Sequence, residues 1–208
     1  MHEKSLLFAN SEQILATLAI EARACKSCEP QLPLGARPIF QVDESAKILI
    51  VGQAPGARAH ASGIPWADAS GARLRAWMGI DDRMFYDSSK IAIVPMSLCY
   101  PGRGRGGDLP PRRECEERWV TKLIISLTNV RLTLLVGAFA QRYMLRSKAR
   151  SSLTHTVRDW QAYAPEHIPL PHPSPRNTPW LTAHPWFSTE VVPPLQKRVR
   201  AAFEEETS

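Results

Sequence analysis

Ala46-Lys47-Ile48-Leu49-Ile50-Val51-Gly52 is a continuous run of mostly branched apolar residues halted by glycine, with Gln53-Ala54-Pro55-Gly56 directly behind it. Unbroken apolar character, as opposed to alternation, belongs to a strand buried on both faces, as in parallel sheets. Lys90 to Met96 and Arg131 to Gly137 repeat it, and His167 to Leu170 is a weaker fourth instance. Helical patterns lie between them, at Ser70 to Gly79, Arg113 to Leu127 and Ala138 to Arg146. Val191 to Phe203 makes a C-terminal helix whose early prolines fall where the first turn has no intrahelical donor to lose. At the other end, Asn10 or Ser11 is placed to cap a helix carrying Ile14, Leu15, Leu18 and Ala22 and ending near Cys25. Strands alternating with helices predict an α/β fold, a three-layer α/β/α sandwich around a short, mostly parallel central sheet. No repeat and no linker-like stretch divides the chain. Residues 1–208 are therefore expected to form one domain, with the N-terminal helix and the Cys25/Cys28 segment packed onto the core.

At 208 residues a single core hides about 70% of the surface that the unfolded chain exposes. Folding then requires neither metal nor disulfide, and the four cysteines need another explanation. Lys+Arg of 26 against Asp+Glu of 20, with a pI near 9.4, favours an anionic partner without naming one. A hydrophobic content of 44% and a mean hydropathy of −0.24 exclude wholesale disorder. Apolar stretches such as Leu132 to Ala140 fall short of the roughly 20 residues a membrane span needs. Met1-His2-Glu3-Lys4 leads into no long apolar run, so no secretory leader is expected and a cytoplasmic location is. In that reducing compartment cysteines serve as metal ligands or free thiols more often than as disulfides.

Ligands of parallel α/β sheets sit beyond the carboxyl ends of the strands, which directs attention to the loops after residues 51, 96, 137 and 170. Gly52-Gln53-Ala54-Pro55-Gly56 is tight enough for its backbone N–H groups to approach a ligand, or it is an ordinary strand-exit turn. It has neither the Lys-Ser/Thr ending of a P-loop nor the spacing of a dinucleotide fingerprint. Gly63-Ile64-Pro65-Trp66 offers an aromatic ring, either a stacking platform for a base or a partly buried loop anchor. In Pro171-His172-Pro173-Ser174-Pro175-Arg176-Asn177 the prolines fix the backbone on both sides of His172. Rigid placement suits a histidine that hydrogen-bonds a developing negative charge, and it equally suits a proline-rich surface turn.

Taken together, these three segments resemble the uracil-DNA glycosylase superfamily, and GQAPG and GIPW are most similar to its iron–sulfur-containing branch. The resemblance runs from about Cys25 to the C-terminal helix. Cys25 and Cys28 form a C-x-x-C, while Cys99 and Cys115 flank a glycine- and proline-rich loop with fifteen residues between them. Such a set can complete a four-thiolate site, and spacing alone does not separate a [4Fe–4S] cluster from zinc. The resemblance favours the [4Fe–4S] cluster, in a structural role, with zinc as the alternative; Cys99-Tyr100-Pro101 is similar to the family's Cys-Arg-Pro. The loop also carries Arg103, Arg105, Arg112 and Arg113, a solvated basic loop or a phosphate contact. Arg142, Arg146, Lys148, Arg150, Lys197, Arg198 and Arg200 either extend a basic face or are scattered surface charge.

The resemblance implies a monofunctional DNA glycosylase acting on uracil or a related damaged base in DNA. The base would be flipped out of the duplex onto Trp66, above Gln53, Ala54, Pro55 and Gly56. His172 would hydrogen-bond the base oxygen that gains charge and Ser174 would grip a flanking phosphate; Arg176, and from the basic loop Arg103 and Arg105, are further candidates for DNA contact. Three departures from the family pattern stand out. Ala54 occupies a position where some members carry Asp or Asn to orient water, which leaves Gln53 as the candidate for that task. The Asn that reads uracil usually precedes the third cysteine, yet Ile93 to Leu98 contains none. The leucine wedge often found after the His-Pro-Ser segment is absent as well. The alternative is a catalytically inactive nucleic-acid-binding module that keeps a glycosylase-like pocket.

Overall fold

The computed structural model describes residues 2–204, with residues 2–12 described by backbone alone. Helix α1 (His2–Arg23) leads by an extended segment into strand β1 (Ile48–Val51). Helices α2 (Ala57–Ser62), α3 (Ala69–Met78) and α4 (Asp82–Phe85) then precede strand β2 (Ile91–Ile93). A small hairpin, β3 (Arg103–Gly104) and β4 (Gly107–Asp108), is followed by α5 (Arg113–Cys115), a π-turn over Glu116–Val120 and α6 (Thr121–Ile125). Strand β5 (Leu132–Val136), helices α7 (Ala138–Leu145) and α8 (Leu153–Arg158), and strand β6 (His167–Leu170) complete the core. Helix α9 (Thr178–Ala183), a π-turn over Phe187–Val191 and helix α10 (Val192–Ala201) close the described chain.

All four predicted strands exist, and they form one wholly parallel sheet in the order β2-β1-β5-β6. Every residue of β1, β2 and β5 is buried, which is why their sequences show no alternation. Successive side chains nevertheless enter different layers. Ile48, Ile50, Ile93, Leu134 and Ile168 pack against Leu74 and Met78 of α3 and Leu195 and Val199 of α10. Leu49, Val51, Ala92 and Leu135 pack against Leu15 and Ala22 of α1, Leu123 of α6 and Ala140 of α7. The result is the expected α/β/α sandwich.

Several expected boundaries move. Helix α1 begins at His2, well before Asn10 or Ser11, whose side chains lie outside the described residues. The Arg113 to Leu127 helix is interrupted by its π-turn, and the C-terminal helix follows a second one, so Pro193 and Pro194 fall in the first turn of α10. Helices α2, α4, α8 and α9 are four to six residues long and too short to show a period. The stretch between Cys99 and Cys115, read as loop, contains the β3–β4 hairpin. Among the described residues no helix is long and apolar enough to cross a membrane.

The chain runs from β1 outward to β2 and then returns to place β5 on the other side of β1. Such a reversal of direction opens a crevice at the carboxyl ends of the strands.

Candidate active site

That crevice holds a cavity of about 370 Å³. Gln53, Ala54, Pro55 and Gly56 line it from the exit of β1, Trp66 from the α2–α3 connection, and His172, Ser174 and Arg176 from the exit of β6. The Trp66 backbone is in the left-handed region at φ 57°. It is held there by a hydrogen bond from the Tyr86 hydroxyl to the Trp66 carbonyl (3.4 Å) and by close packing against α3. A Cβ on Gly71 would lie 1.8 Å from that carbonyl oxygen, so only glycine lets the two backbones meet. The Trp66 and His172 rings face each other across 5.6 Å at 36°.

The His172 segment is rigid for reasons beyond its prolines. Asn177 Nδ2 donates to the His172 carbonyl at 2.8 Å, and Arg73 Nη1 donates to the Ser174 carbonyl at 3.1 Å. The Ser174 N–H donates to His172 Nδ1 at 3.2 Å, so the neutral ring carries its proton on Nε2. Burial holds His172 below its ordinary pKa of 6.5, against the opposing pull of Asp68 and Asp108. A neutral imidazole with Nε2–H available is a hydrogen-bond donor that needs no protonation. The Ser174 hydroxyl accepts from the Arg176 N–H at 3.3 Å, which leaves its own O–H free to donate.

Arg103 and Arg105 do not line the cavity. Arg103 borders a separate groove with Pro33 and Leu109, and Arg105 is exposed at the hairpin tip. Arg176 links the two regions by donating to the Gly106 carbonyl at 3.2 Å. Three charged lining residues were not foreseen, namely Arg58, Asp68 and Asp108. Asp68 reads locally as a helix cap, and it is one, accepting from the Gly71 N–H at 3.0 Å. For Asp108 the local sequence carries no signal, because only the hairpin brings it to the cavity.

Cys25, Cys28, Cys99 and Cys115 line a second cavity of about 220 Å³, together with Arg112 and Trp119. None is in a disulfide. Among the described residues no three His, Cys, Asp or Glu side chains are grouped so as to hold a metal ion; the thiols border a space instead. Burial pushes Cys99 and Cys115 up to about 11, although the Leu98 N–H donates to Cys115 Sγ at 3.3 Å. Burial also works to raise Cys25, but hydrogen bonding to Ser27 and Trp119, with the charge of Arg118, outweighs it and leaves that thiol below its ordinary value. Arg112 Nε is buried without a hydrogen-bond partner among the described residues, while the Trp119 indole is buried beside Cys25 and helps to hold that thiol down. A buried donor in the condition of Arg112 Nε calls for an acceptor such as water or a bound group.

Fold and cavity together define an α/β protein with a cavity at the carboxyl ends of its parallel strands, the place where such folds bind ligands, with Trp66 and His172 side by side in its lining. The sequence model of the Uracil DNA glycosylase superfamily matches residues 39–196, and the chain belongs to that superfamily. Its members are in general DNA glycosylases, hydrolases of the N-glycosidic bond, and DNA is the partner that membership supplies. The match includes the β1 exit loop, Trp66, Cys99, Cys115 and His172, while Cys25 and Cys28 precede it. It is a match to the superfamily and does not single out the iron–sulfur branch.

Proposed function

We propose that the protein is a monofunctional DNA glycosylase that removes uracil or a related deaminated base to begin base-excision repair. The observation that carries this reading is the fixed Nε2–H tautomer of a neutral His172 beside Trp66 in the cavity lining. The target nucleotide leaves the stack, its base lies against Trp66 above Gln53 to Gly56, and His172 Nε2–H donates to the base oxygen. As the N-glycosidic bond breaks, that oxygen gains charge and the hydrogen bond strengthens, which lowers the barrier. Ser174 and Arg176 grip a flanking phosphate, with Arg103 and Arg105 reaching the backbone further out. Selectivity does not come from an Asn before Cys99, because Pro95, Met96, Ser97 and Leu98 stand there.

In this reading the four cysteines hold a [4Fe–4S] cluster. The donor set fits: thiols border a space larger than one ion, and one buried donor, Arg112 Nε, lacks an acceptor beside it. A zinc ion, bound by thiolates at about 2.3 Å, would instead draw them to a point. The cluster's contribution is structural, tying the segment after α1 to the Cys99–Cys115 loop.

Purified protein is expected to create alkali-labile sites in DNA containing uracil, hypoxanthine, xanthine or a thymine mismatch, tested single- and double-stranded. His172→Ala should slow the reaction roughly 10- to 1,000-fold, as loss of an oxyanion donor does. Ala54, which cannot orient water, favours a second reading as a binding module with no hydrolysis. That reading is established instead if no base on the panel is released while Trp66→Ala still weakens DNA binding.

A further inference from the structure

The cavity that receives the nucleotide contains two carboxylates. Anions are out of place on a surface that binds polyphosphate, since each repels the ligand. Arg58 and Arg176 line the same space and answer to phosphate; Asp68 and Asp108 do not. Asp68 has a separate duty, with one oxygen bound by the Gly71 N–H at the start of α3. Asp108 has none: it makes no hydrogen bond or ion pair among the described residues, even though Arg103 stands opposite it in the hairpin register.

Its side chain is exposed, but its backbone is closely determined. Asp108 pairs with Arg103 across the hairpin, and the next N–H, of Leu109, donates to the Gly102 carbonyl at 2.8 Å. Arg176 holds the preceding turn through Gly106, and a Cβ on Gly107 would come within 2.5 Å of that guanidinium. Gly107, at φ 145°, takes a backbone conformation that favours glycine, and the Arg176 guanidinium lies where its side chain would be. The carboxylate that follows lies over the β1 exit loop, with Oδ2 3.8 Å from where a Cβ of Gly56 would be. A free carboxylate on a braced backbone faces the loop beneath the sugar.

Resting on the glycosylase reading, we infer that Asp108 is a catalytic residue that positions the attacking water and takes its proton. As the C1′–N bond breaks, its electron pair leaves with the base, held by His172 Nε2–H. The sugar becomes oxocarbenium-like, and its positive charge faces Asp108. Water forms the new C1′–O bond, its proton passes to the Asp108 carboxylate, and that proton then returns to the departed base anion. The products are an abasic sugar and the neutral base. Gln53 is no base, the Ala54 side chain has no polar atom, and Asp68 is partly engaged, so the hairpin supplies what the β1 exit loop lacks.

The test is single-turnover excision by the full-length Asp108→Asn protein, on whichever base the parent removes. Binding is measured alongside to DNA carrying a cationic pyrrolidine abasic analogue or a neutral tetrahydrofuran one. We expect the rate to fall about 10²-fold or more, the usual contribution of a general base. Affinity for the neutral analogue should be unchanged or tighter, and the preference for the cationic analogue should disappear. Asp108→Glu should recover part of both. An active parent whose Asn variant stays within about twofold in rate overturns the assignment and leaves the glycosylase reading intact. Rate loss with weakened neutral-analogue binding and an unchanged cation preference overturns it too, because Asp108 would then be structural. A parent that releases no base overturns both.

Discussion

His172 shows how much chemistry depends on a single hydrogen bond. The N–H of Ser174, two residues on, occupies Nδ1 and so places the ring proton on Nε2. Burial then disfavours the charged form. The unfolded chain binds a proton at the ordinary 6.5, whereas the folded chain resists it to lower pH. The stability this contributes is present above 6.5 and is lost as pH falls through the lowered folded value. Melting temperature should therefore drop on acidification from about pH 7 to 5, and less so in His172→Gln. His167 is shifted the same way by burial, so the difference between parent and variant is the quantity to measure. At Gly71 the expected effect is steric. Gly71→Ala drives a Cβ into the Trp66 carbonyl and should cost on the order of 3 kcal/mol in chemical denaturation, with loss of the aromatic platform. The glycine in the sequence is visible, but the backbone it must meet is not.

Among the elements, the β3–β4 hairpin does most to shape the cavity mouth, and it is the one local pattern conceals. Two residues per strand and a Gly-Arg-Gly-Gly turn give no alternation to read, so the segment looks like a basic loop. Arg176 fastens it to the His172 segment. Arg176→Met keeps much of the side-chain length but loses the tie to Gly106 and one cation. DNA affinity should weaken, and the slope of log K against log salt should shrink by about one, with little change in melting temperature. Helix α3 responds differently, since its cap is a single side chain. Asp68→Ala should cost about 1 kcal/mol of stability, and Asp68→Asn much less, because asparagine can still accept from the Gly71 N–H.

For the whole molecule, the two cavities are built on different principles, one at the ends of the sheet and one between the segment after α1 and the Cys99–Cys115 loop. Protein purified without oxygen is expected to be brown, with iron and sulfide in similar amounts. Cys28→Ala should remove the colour and lower the melting temperature by several degrees; colourless protein containing one zinc would assign the site to that ion. By itself the sequence determined the layers, because unbroken apolar runs and short helical periods are local patterns that only one architecture satisfies. It also determined where to look, since ligands of parallel sheets gather at strand ends and the unusual loops lie there. Only the tertiary structure decided that β1 stands between β2 and β5, that Ser174 sets the tautomer of His172, and that Asp108 reaches the β1 exit loop. The grouping of the four cysteines is implied by their pattern and the resemblance, and the structure adds the cavity that they border. Those outcomes depend on contacts between residues far apart in the chain, and packing, not periodicity, selects them.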